Sequence, residues 1–164
     1  MKKIINLIFI FLWMITIFMF SNQGGTESSG VSKKITNSIV DFLHITDGCE
    51  EKETIKVINN IEHIIRKLAH YSLYAIGGFL IFLEINMFKI SFLLKILYTQ
   101  ILGTLYACTD ELHQLMIPKR SGEIRDVIID SCGVFSGIII SIIVISLIYT
   151  INDLYKNKYR KEKE

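Results

Sequence analysis

Four long apolar stretches alternate with shorter polar segments along the chain. They cover residues 4–20, 68–88, 92–108 and 127–151. Each is close to the roughly 20 residues that an α-helix needs to cross about 30 Å of hydrocarbon. The pattern predicts an all-α integral membrane protein in which four transmembrane helices form a bundle.

The polar segment between the first two apolar stretches, residues 21–67, is long enough to hold structure of its own. Its apolar residues recur at helical spacing, at Val31, Ile35, Ile39, Phe42 and Leu43 and then at Ile55, Ile58, Ile61 and Ile65. Such stripes suit helices that lie along a membrane surface. We therefore expect an extracytoplasmic interfacial helical segment here, whose second helix runs on into the second span. These helices either complete the bundle or bind a partner.

Composition supports the membrane assignment. Of the 164 residues 51% are hydrophobic and one is proline, and the mean hydropathy is +0.42. Soluble domains of this length are rarely so apolar. No repeat or low-complexity linker divides the chain, so we expect a single domain, residues 1–164. The first stretch follows two lysines, as a signal peptide does, but its length and the bulky residues after it favour a retained anchor.

The distribution of basic residues predicts the orientation. Nine of the 18 basic residues lie in the short tail, residues 152–164, and at Lys2, Lys3, Lys89 and Lys95, and the other nine lie in the longer segments 21–67 and 110–126. Their density is therefore higher in the tail and near those four lysines. Cytoplasmic loops are enriched in lysine and arginine, so we expect both termini in the cytoplasm and residues 21–67 and 110–126 outside. The formal net charge is only +2, which gives no reason to expect a nucleic-acid partner. The expected partner is the lipid bilayer.

Polar and ionisable residues concentrate at the ends of the predicted spans. With this topology four helix ends bring them to the outer face. In chain order they are Ser21, Gln23, Arg66, Lys67, His70, Tyr74, Asp110, Glu111, His113, Gln114, Arg120, Asp126 and Asp130. We expect these residues to form one outer-face polar pocket that binds a ligand.

Asp130 lies about one turn inside its apolar stretch. A charge at that depth costs on the order of 2.5 kcal/mol or more unless it is paired or wet, so we expect Asp130 to face the bundle and pair with an arginine. The candidates are Arg66, Arg120 and Arg125. Gly133 and Gly137, four residues apart on the same predicted helix, would let a neighbouring helix come close.

Taken singly, several of these residues have simpler interpretations. Lys67 and the arginines could anchor helix ends at the interface by snorkelling. Glu111 and Glu123 could be solvated loop charges, and His70 a core histidine. Their convergence at one membrane face favours a functional site, because ionisable groups in membrane segments are costly to place.

Two stretches resemble the signature of the VanZ-like membrane proteins, the teicoplanin-resistance protein family. They are RKLAHYSLY, from Arg66, and YACTDELHQLMIPKRSGEIRDVIIDSCG, which ends at Gly133. FSNQ after the first span is similar to the family's Ser-x-Gln element, and Thr109 stands where serine is common. The resemblance implies that the polar residues above, with Gly133, are the functional set. Because the name-giving member confers resistance to teicoplanin, it also implies a role at the Gram-positive cell envelope.

One hypothesis for function is binding without chemistry. The outer pocket would hold an anionic envelope lipid or cell-wall precursor and thereby confer glycopeptide tolerance. Arg66, Lys67 and Arg120 would form the clamp for its phosphate or carboxylate.

The alternative hypothesis is a membrane-embedded hydrolase or transferase that acts on a lipid-linked envelope substrate. His70 or His113 would act as general acid or base beside Asp110 and Asp130. The chain has no nucleophile elbow, phosphate loop or HExxH pattern.

The sequence gives no specific ground for a cofactor. A metal site built from Asp110, His113, Asp126 or Asp130 has suitable ligand types, but their spacing is not diagnostic. The three cysteines have neither metal-type spacing nor the even count of a disulfide framework. We therefore expect no metal and no cofactor, and the sequence leaves the oligomeric state open.

Overall fold

The computed structural model describes residues 2–22, 25–43, 51–117 and 122–161. Within these ranges every regular element is an α-helix. The helices are α1 (Lys2–Ser21), α2 (Gly25–Leu43), α3 (Glu51–Ile85), α4 (Phe92–Gln114) and α5 (Ile124–Lys161). The predicted all-α fold class is confirmed.

Four of the helices are long and apolar enough to cross a membrane. The segments that meet this description are Ile4–Ser21, Lys52–Ile85, Phe92–Gln114 and Ile124–Lys158. Many large hydrophobic side chains on them are exposed, as expected for surfaces that contact lipid rather than water. The prediction of four helices long and apolar enough to span a membrane is thus confirmed, as expected for a multi-pass membrane protein.

Two of the helices extend well beyond the predicted spans. The 35-residue α3 joins the second predicted surface helix to the second span, and the 38-residue α5 continues through most of the basic tail. At 1.5 Å per residue they are about 52 Å and about 57 Å long, against about 30 Å of hydrocarbon. Each helix is therefore longer than the hydrocarbon is thick. The N-terminal part of α3 and the C-terminal part of α5 extend beyond it.

The connection between α4 and α5 is shorter than the predicted segment 110–126. Helix α4 continues to Gln114, and α5 already begins at Ile124. The polar residues from Asp110 onward do not end α4, because the Gln114 side chain bonds to carboxylates one turn earlier on the same helix. Both ends of the predicted connection are therefore helical.

The turn between α3 and α4 is held by side chains. Lys95 Nζ donates to the carbonyl oxygen of Asn86 at 3.0 Å and to its Oδ1 at 2.9 Å. Ser91 caps the N-terminus of α4 by accepting from Leu94 N. These contacts satisfy backbone groups that a helix end leaves without partners.

Helix α3 lies at the centre of the bundle and contacts all four of the other helices, α5 most extensively. Its backbone touches that of α5 directly. A Cβ atom added at Gly133 would collide with the carbonyl oxygen of Tyr71, and one at Gly137 with that of Ala75. The close approach predicted from these two glycines is confirmed.

Side-chain hydrogen bonds fix α1 antiparallel to α3. Trp13 Nε1 donates to the Leu73 carbonyl at 2.8 Å, and Asn6 Nδ2 donates to Glu84 Oε2 at 3.0 Å. Such bonds matter in hydrocarbon, where no water is present to pair polar groups. The C-terminal end of α1 therefore lies beside the part of α3 that contains His70.

Candidate functional site

The antiparallel packing gathers most of the predicted polar residues at one end of the bundle. We call this the polar end; it comprises the last turns of α1 and α4, the first turns of α5 and the part of α3 around His70. Its buried members are Ser21, Tyr74, Asp110, Glu111, Gln114 and Asp130. Its partly exposed members are Arg66, Lys67, His70, His113 and Asp126. Two further predicted residues, Gln23 and Arg120, lie outside the described residues.

His70, Asp110 and Asp130 meet at the middle of the polar end, and we call these three residues the central cluster. They come from α3, α4 and α5 respectively. One ligand atom of each lies within 4.8 Å of the corresponding atom of the other two. His70 Nδ1 is 4.0 Å from Asp130 Oδ2. Three helices thus place an imidazole and two carboxylates around one point.

Asp130 is fully buried, and both of its carboxylate oxygens have no hydrogen-bond partner among the described residues. Its ion-pair contact there is with His70, not with an arginine. The expected pairing with Arg66 or Arg125 is therefore wrong for the described part of the chain. Arg66 lies one turn before His70 on α3, and Arg125 is exposed.

Lys67 and Asp126 form a second contact between α3 and α5, one turn farther out. Lys67 Nζ lies 2.7 Å from Asp126 Oδ1. The two side chains are 21% and 30% exposed, so the pair contributes about 1 kcal/mol or less. Its importance for the site is that Lys67, a member of the predicted anion clamp, already faces a carboxylate.

Glu111 ties the end of α4 to the beginning of α5. Its Oε2 accepts from the backbone N–H of Glu123 at 3.0 Å, and its Oε1 accepts from Gln114 Nε2 at 3.1 Å. Gln114 also donates to Asp110 Oδ2 at 3.0 Å. The interpretation of Glu111 as a solvated loop charge is wrong, because the residue is only 6% exposed. Through Gln114 it also orients a carboxylate of the central cluster.

Three aromatic rings form a layer one turn deeper in the bundle than the central cluster. Trp13 lies edge-on to Tyr74, with ring centroids 5.9 Å apart, and 5.0 Å from the ring of Tyr106. The hydroxyl of Tyr74 is buried without a hydrogen-bond partner among the described residues. Trp13 and Tyr106 are absent from the sequence-predicted site. The signal that could have identified Trp13 is that the chain's one tryptophan lies within an apolar span.

His113 lies apart from the central cluster. Its ring packs on Phe18 of α1, with centroids 4.7 Å apart and planes inclined by 32°. Of the two histidines proposed from the sequence as acid or base, the structure therefore brings His70, and not His113, into the group with Asp110 and Asp130.

The arrangement determines which chemistry the polar end can carry. Apart from Tyr74, the buried ionisable residues in its described part are the carboxylic acids Asp110, Glu111 and Asp130. Buried carboxylates attract cations and repel anions, and a neighbouring imidazole can accept or donate a proton near neutral pH. The geometry suits proton transfer or cation binding better than capture of an anion.

Comparison with known proteins assigns the chain to a family. A family model described as VanZ/LLP1 matches residues 6–146. Comparisons with curated proteins and with solved structures gave no match. The matched region begins within α1 and ends within α5, and it includes α2, α3, α4 and all three residues of the central cluster. Since it covers most of the chain, the protein belongs to the VanZ/LLP1 family.

Proposed function

We propose that the protein acts at the cell envelope as a membrane-embedded hydrolase or transferase on a lipid-linked substrate, and that this activity confers tolerance to glycopeptides such as teicoplanin. The observation that supports an enzyme is the central cluster, in which His70 lies beside two buried carboxylates. Membership of the VanZ/LLP1 family supports the link to the envelope and to antibiotic resistance.

His70 is the residue proposed to transfer protons. Asp130 Oδ2 lies 4.0 Å from its Nδ1, and a carboxylate at one ring nitrogen orients an imidazole so that the other nitrogen faces the substrate. Distances of this kind commonly shorten when substrate binds. Nε2 of His70 is then the acid-base atom, and Asp130 is its positioning partner.

The proposed reaction is a displacement at the headgroup of the lipid. His70 Nε2 removes a proton from water or from an acceptor hydroxyl, and the resulting oxygen attacks the headgroup ester. The same imidazole then returns the proton to the departing oxygen, so the protein is unchanged at the end of the cycle. Helix ends lie at headgroup depth, where the central cluster can meet such an ester.

Binding without chemistry is the second candidate. In its favour, Arg66 and Lys67 lie partly buried one turn outside the central cluster on the same helix and could hold an anionic headgroup. Against it, Lys67 already contacts Asp126, and the buried carboxylates would repel an anion placed deeper. We therefore favour the enzyme, with Arg66 as a headgroup contact.

Expression in a susceptible Gram-positive host tests the proposal. Wild-type protein should raise the minimum inhibitory concentration of teicoplanin more than that of vancomycin. His70→Gln and Asp130→Asn should return it to the host's own value, because loss of a general acid or base slows a reaction roughly 100- to 10,000-fold. His63→Gln, at an exposed position two turns earlier on α3, is the matched control and should behave as wild type.

Membrane abundance of each variant, measured by immunoblotting, separates lost function from lost protein. Equal susceptibility of host and wild-type strain, with the protein present in the membrane, would contradict the link to tolerance. If the strain with His70→Gln keeps full tolerance and the strain with Arg66→Gln loses it, the protein binds its ligand without chemistry, and the enzyme hypothesis is wrong.

A further inference from the structure

We propose that the central cluster is a binding site for one divalent transition-metal ion, with His70, Asp110 and Asp130 as its protein ligands. The catalytic meaning of such an ion rests on the proposed function: with His70 Nδ1 bound to the ion, the ion and not the imidazole would activate the attacking oxygen. Its binding can be measured without any activity. One imidazole nitrogen and two carboxylate oxygens form a ligand set that suits Zn²⁺ and Mn²⁺.

The distances within the cluster fit a shared ion. Two ligand atoms that are each about 2.1 Å from a metal, at a tetrahedral angle, lie about 3.4 Å apart. The three ligand atoms here lie within 4.8 Å of one another, and His70 Nδ1 and Asp130 Oδ2 are 4.0 Å apart. A small rotation of the side chains, without movement of the helices, would bring all three to coordination distance.

The burial of Asp130 independently points to a cation. Its side chain is 0% exposed and neither oxygen has a hydrogen-bond partner among the described residues. A buried carboxylate in this state costs free energy unless a cation or proton neutralises it. Lys67, the nearest lysine on α3, already contacts Asp126. An ion at the cluster would also offset the repulsion between Asp130 and Asp110.

Other features around the cluster match the surroundings of metal sites. Gln114 donates to Asp110 Oδ2 at 3.0 Å, and hydrogen bonds of this kind orient ligating carboxylates. Three protein ligands leave at least one coordination position open for water or a substrate oxygen, as in catalytic zinc sites. The ion would lie above the aromatic layer of Trp13, Tyr74 and Tyr106, on the side toward the membrane surface.

Metal binding should be measured on the full-length protein, purified in detergent with an affinity tag that contains no histidine. After treatment with a chelator and its removal, the protein is titrated with Zn²⁺ and, separately, with Mn²⁺ by calorimetry. We expect one bound ion per chain. His70→Gln and Asp130→Asn should weaken binding by more than the roughly 10- to 100-fold that loss of an outer-shell partner causes.

Two substitutions serve as matched controls. Asp153→Asn removes an exposed carboxylate in the tail part of α5, and His63→Gln removes an exposed histidine of α3; both should retain the wild-type affinity. Size-exclusion profiles establish that each variant is folded. In the wild type, bound Zn²⁺ should also raise the melting temperature, because a ligand that binds only the folded state stabilises it.

Failure of the wild type to bind either ion would overturn the metal site. So would binding that His70→Gln and Asp130→Asn leave unchanged, since the ion would then lie elsewhere. If these two variants lose tolerance while the wild type binds no metal, the acid-base enzyme stands and the metal site fails. If they lose metal but retain full tolerance, the metal site stands and the proposed function fails.

Discussion

Glu111 accepts two hydrogen bonds at the polar end and links helices α4 and α5. One of its oxygens accepts from the Glu123 N–H and the other from the Gln114 amide, which in turn holds Asp110. Leaving a buried backbone N–H without an acceptor costs more folding free energy than the hydrogen bond itself contributes. Glu111 therefore positions the beginning of α5 and a member of the central cluster together.

Glu111→Ala should lower the free energy of unfolding by about 1–3 kcal/mol, because the Glu123 N–H and the Gln114 amide each lose an acceptor. Thermal melting in detergent measures the effect. Glu123→Ala is the control: that residue is exposed and its backbone N–H, which remains, makes the bond. Equal melting temperatures for the two variants would mean that the Glu111 contact does not stabilise the fold.

At the residue scale, the sequence identified the members of the polar end but not their partners. Arg66 and His70 are four residues apart and share one face of α3, so helical periodicity cannot say which of them is level with Asp130. The answer depends on how far α3 is shifted along α5. That shift is a property of the packed helices and is absent from the local sequence.

At the scale of elements, the contact between α3 and α5 decides the geometry of the site. Gly133 and Gly137 lie directly against backbone atoms of α3, and Gly78 lies against the backbone of Val134. Backbone atoms cannot rotate away as side chains can, so the two helices have little freedom to separate or slide. The distance from His70 to Asp130 is set by this contact.

Gly137→Ala should therefore destabilise the bundle by about 1–3 kcal/mol, the usual range for an added methyl in a well-packed interior. Its Cβ would meet Phe79 N at 2.7 Å as well as Ala75. Gly30→Ala on α2 is the matched control, since a Cβ there meets nothing within 4 Å. Alanine in that helix should be neutral or stabilising, by up to about 1 kcal/mol. Unfolding in detergent compares them, and equal stability would contradict direct backbone contact.

The existence of the helices was predictable from apolar periodicity. The residues at which they begin and end were harder to predict. Neither glycine nor proline occurs in α3 before Gly77 or in α5 after Gly137, so no breaker separates the spans from the flanking polar residues. Hydropathy marks where a helix enters lipid, but a helix continues into water wherever its residues permit. This is why the predicted spans 68–88 and 127–151 are shorter than α3 and α5.

At the scale of the whole molecule, the polar end lies at one end of the bundle, and the Asn6–Glu84 and Lys95–Asn86 contacts lie at the other. The density of basic residues is higher at the latter end and in the short tail than in the longer segments at the polar end, which favours placement of the latter end in the cytoplasm. We expect the central cluster to face outward, toward the compartment where glycopeptides act.

Labelling of single cysteines in intact cells tests this orientation, in a variant whose native Cys49, Cys108 and Cys132 are replaced. A membrane-impermeant reagent should label Glu51→Cys directly. Lys89→Cys and Lys158→Cys should react only after the membrane is permeabilised. The reverse pattern would place the polar end in the cytoplasm and exclude an extracellular substrate.

The central cluster takes one residue from each of three helices, and this affects how the chain is inserted into the membrane during synthesis. The first span has a mean hydropathy of 2.4 and the last 2.6, whereas the spans in α3 and α4 reach only 1.5 and 1.3. During synthesis α1 is apolar enough to enter lipid on its own. Helices α3 and α4 leave the ribosome before Asp126 and Asp130 have been made, so Lys67 and His70 do not yet have these two carboxylates to contact at that stage. The two middle helices should therefore stay beside the insertion machinery until α5 arrives, so that the site closes as the last step of membrane integration.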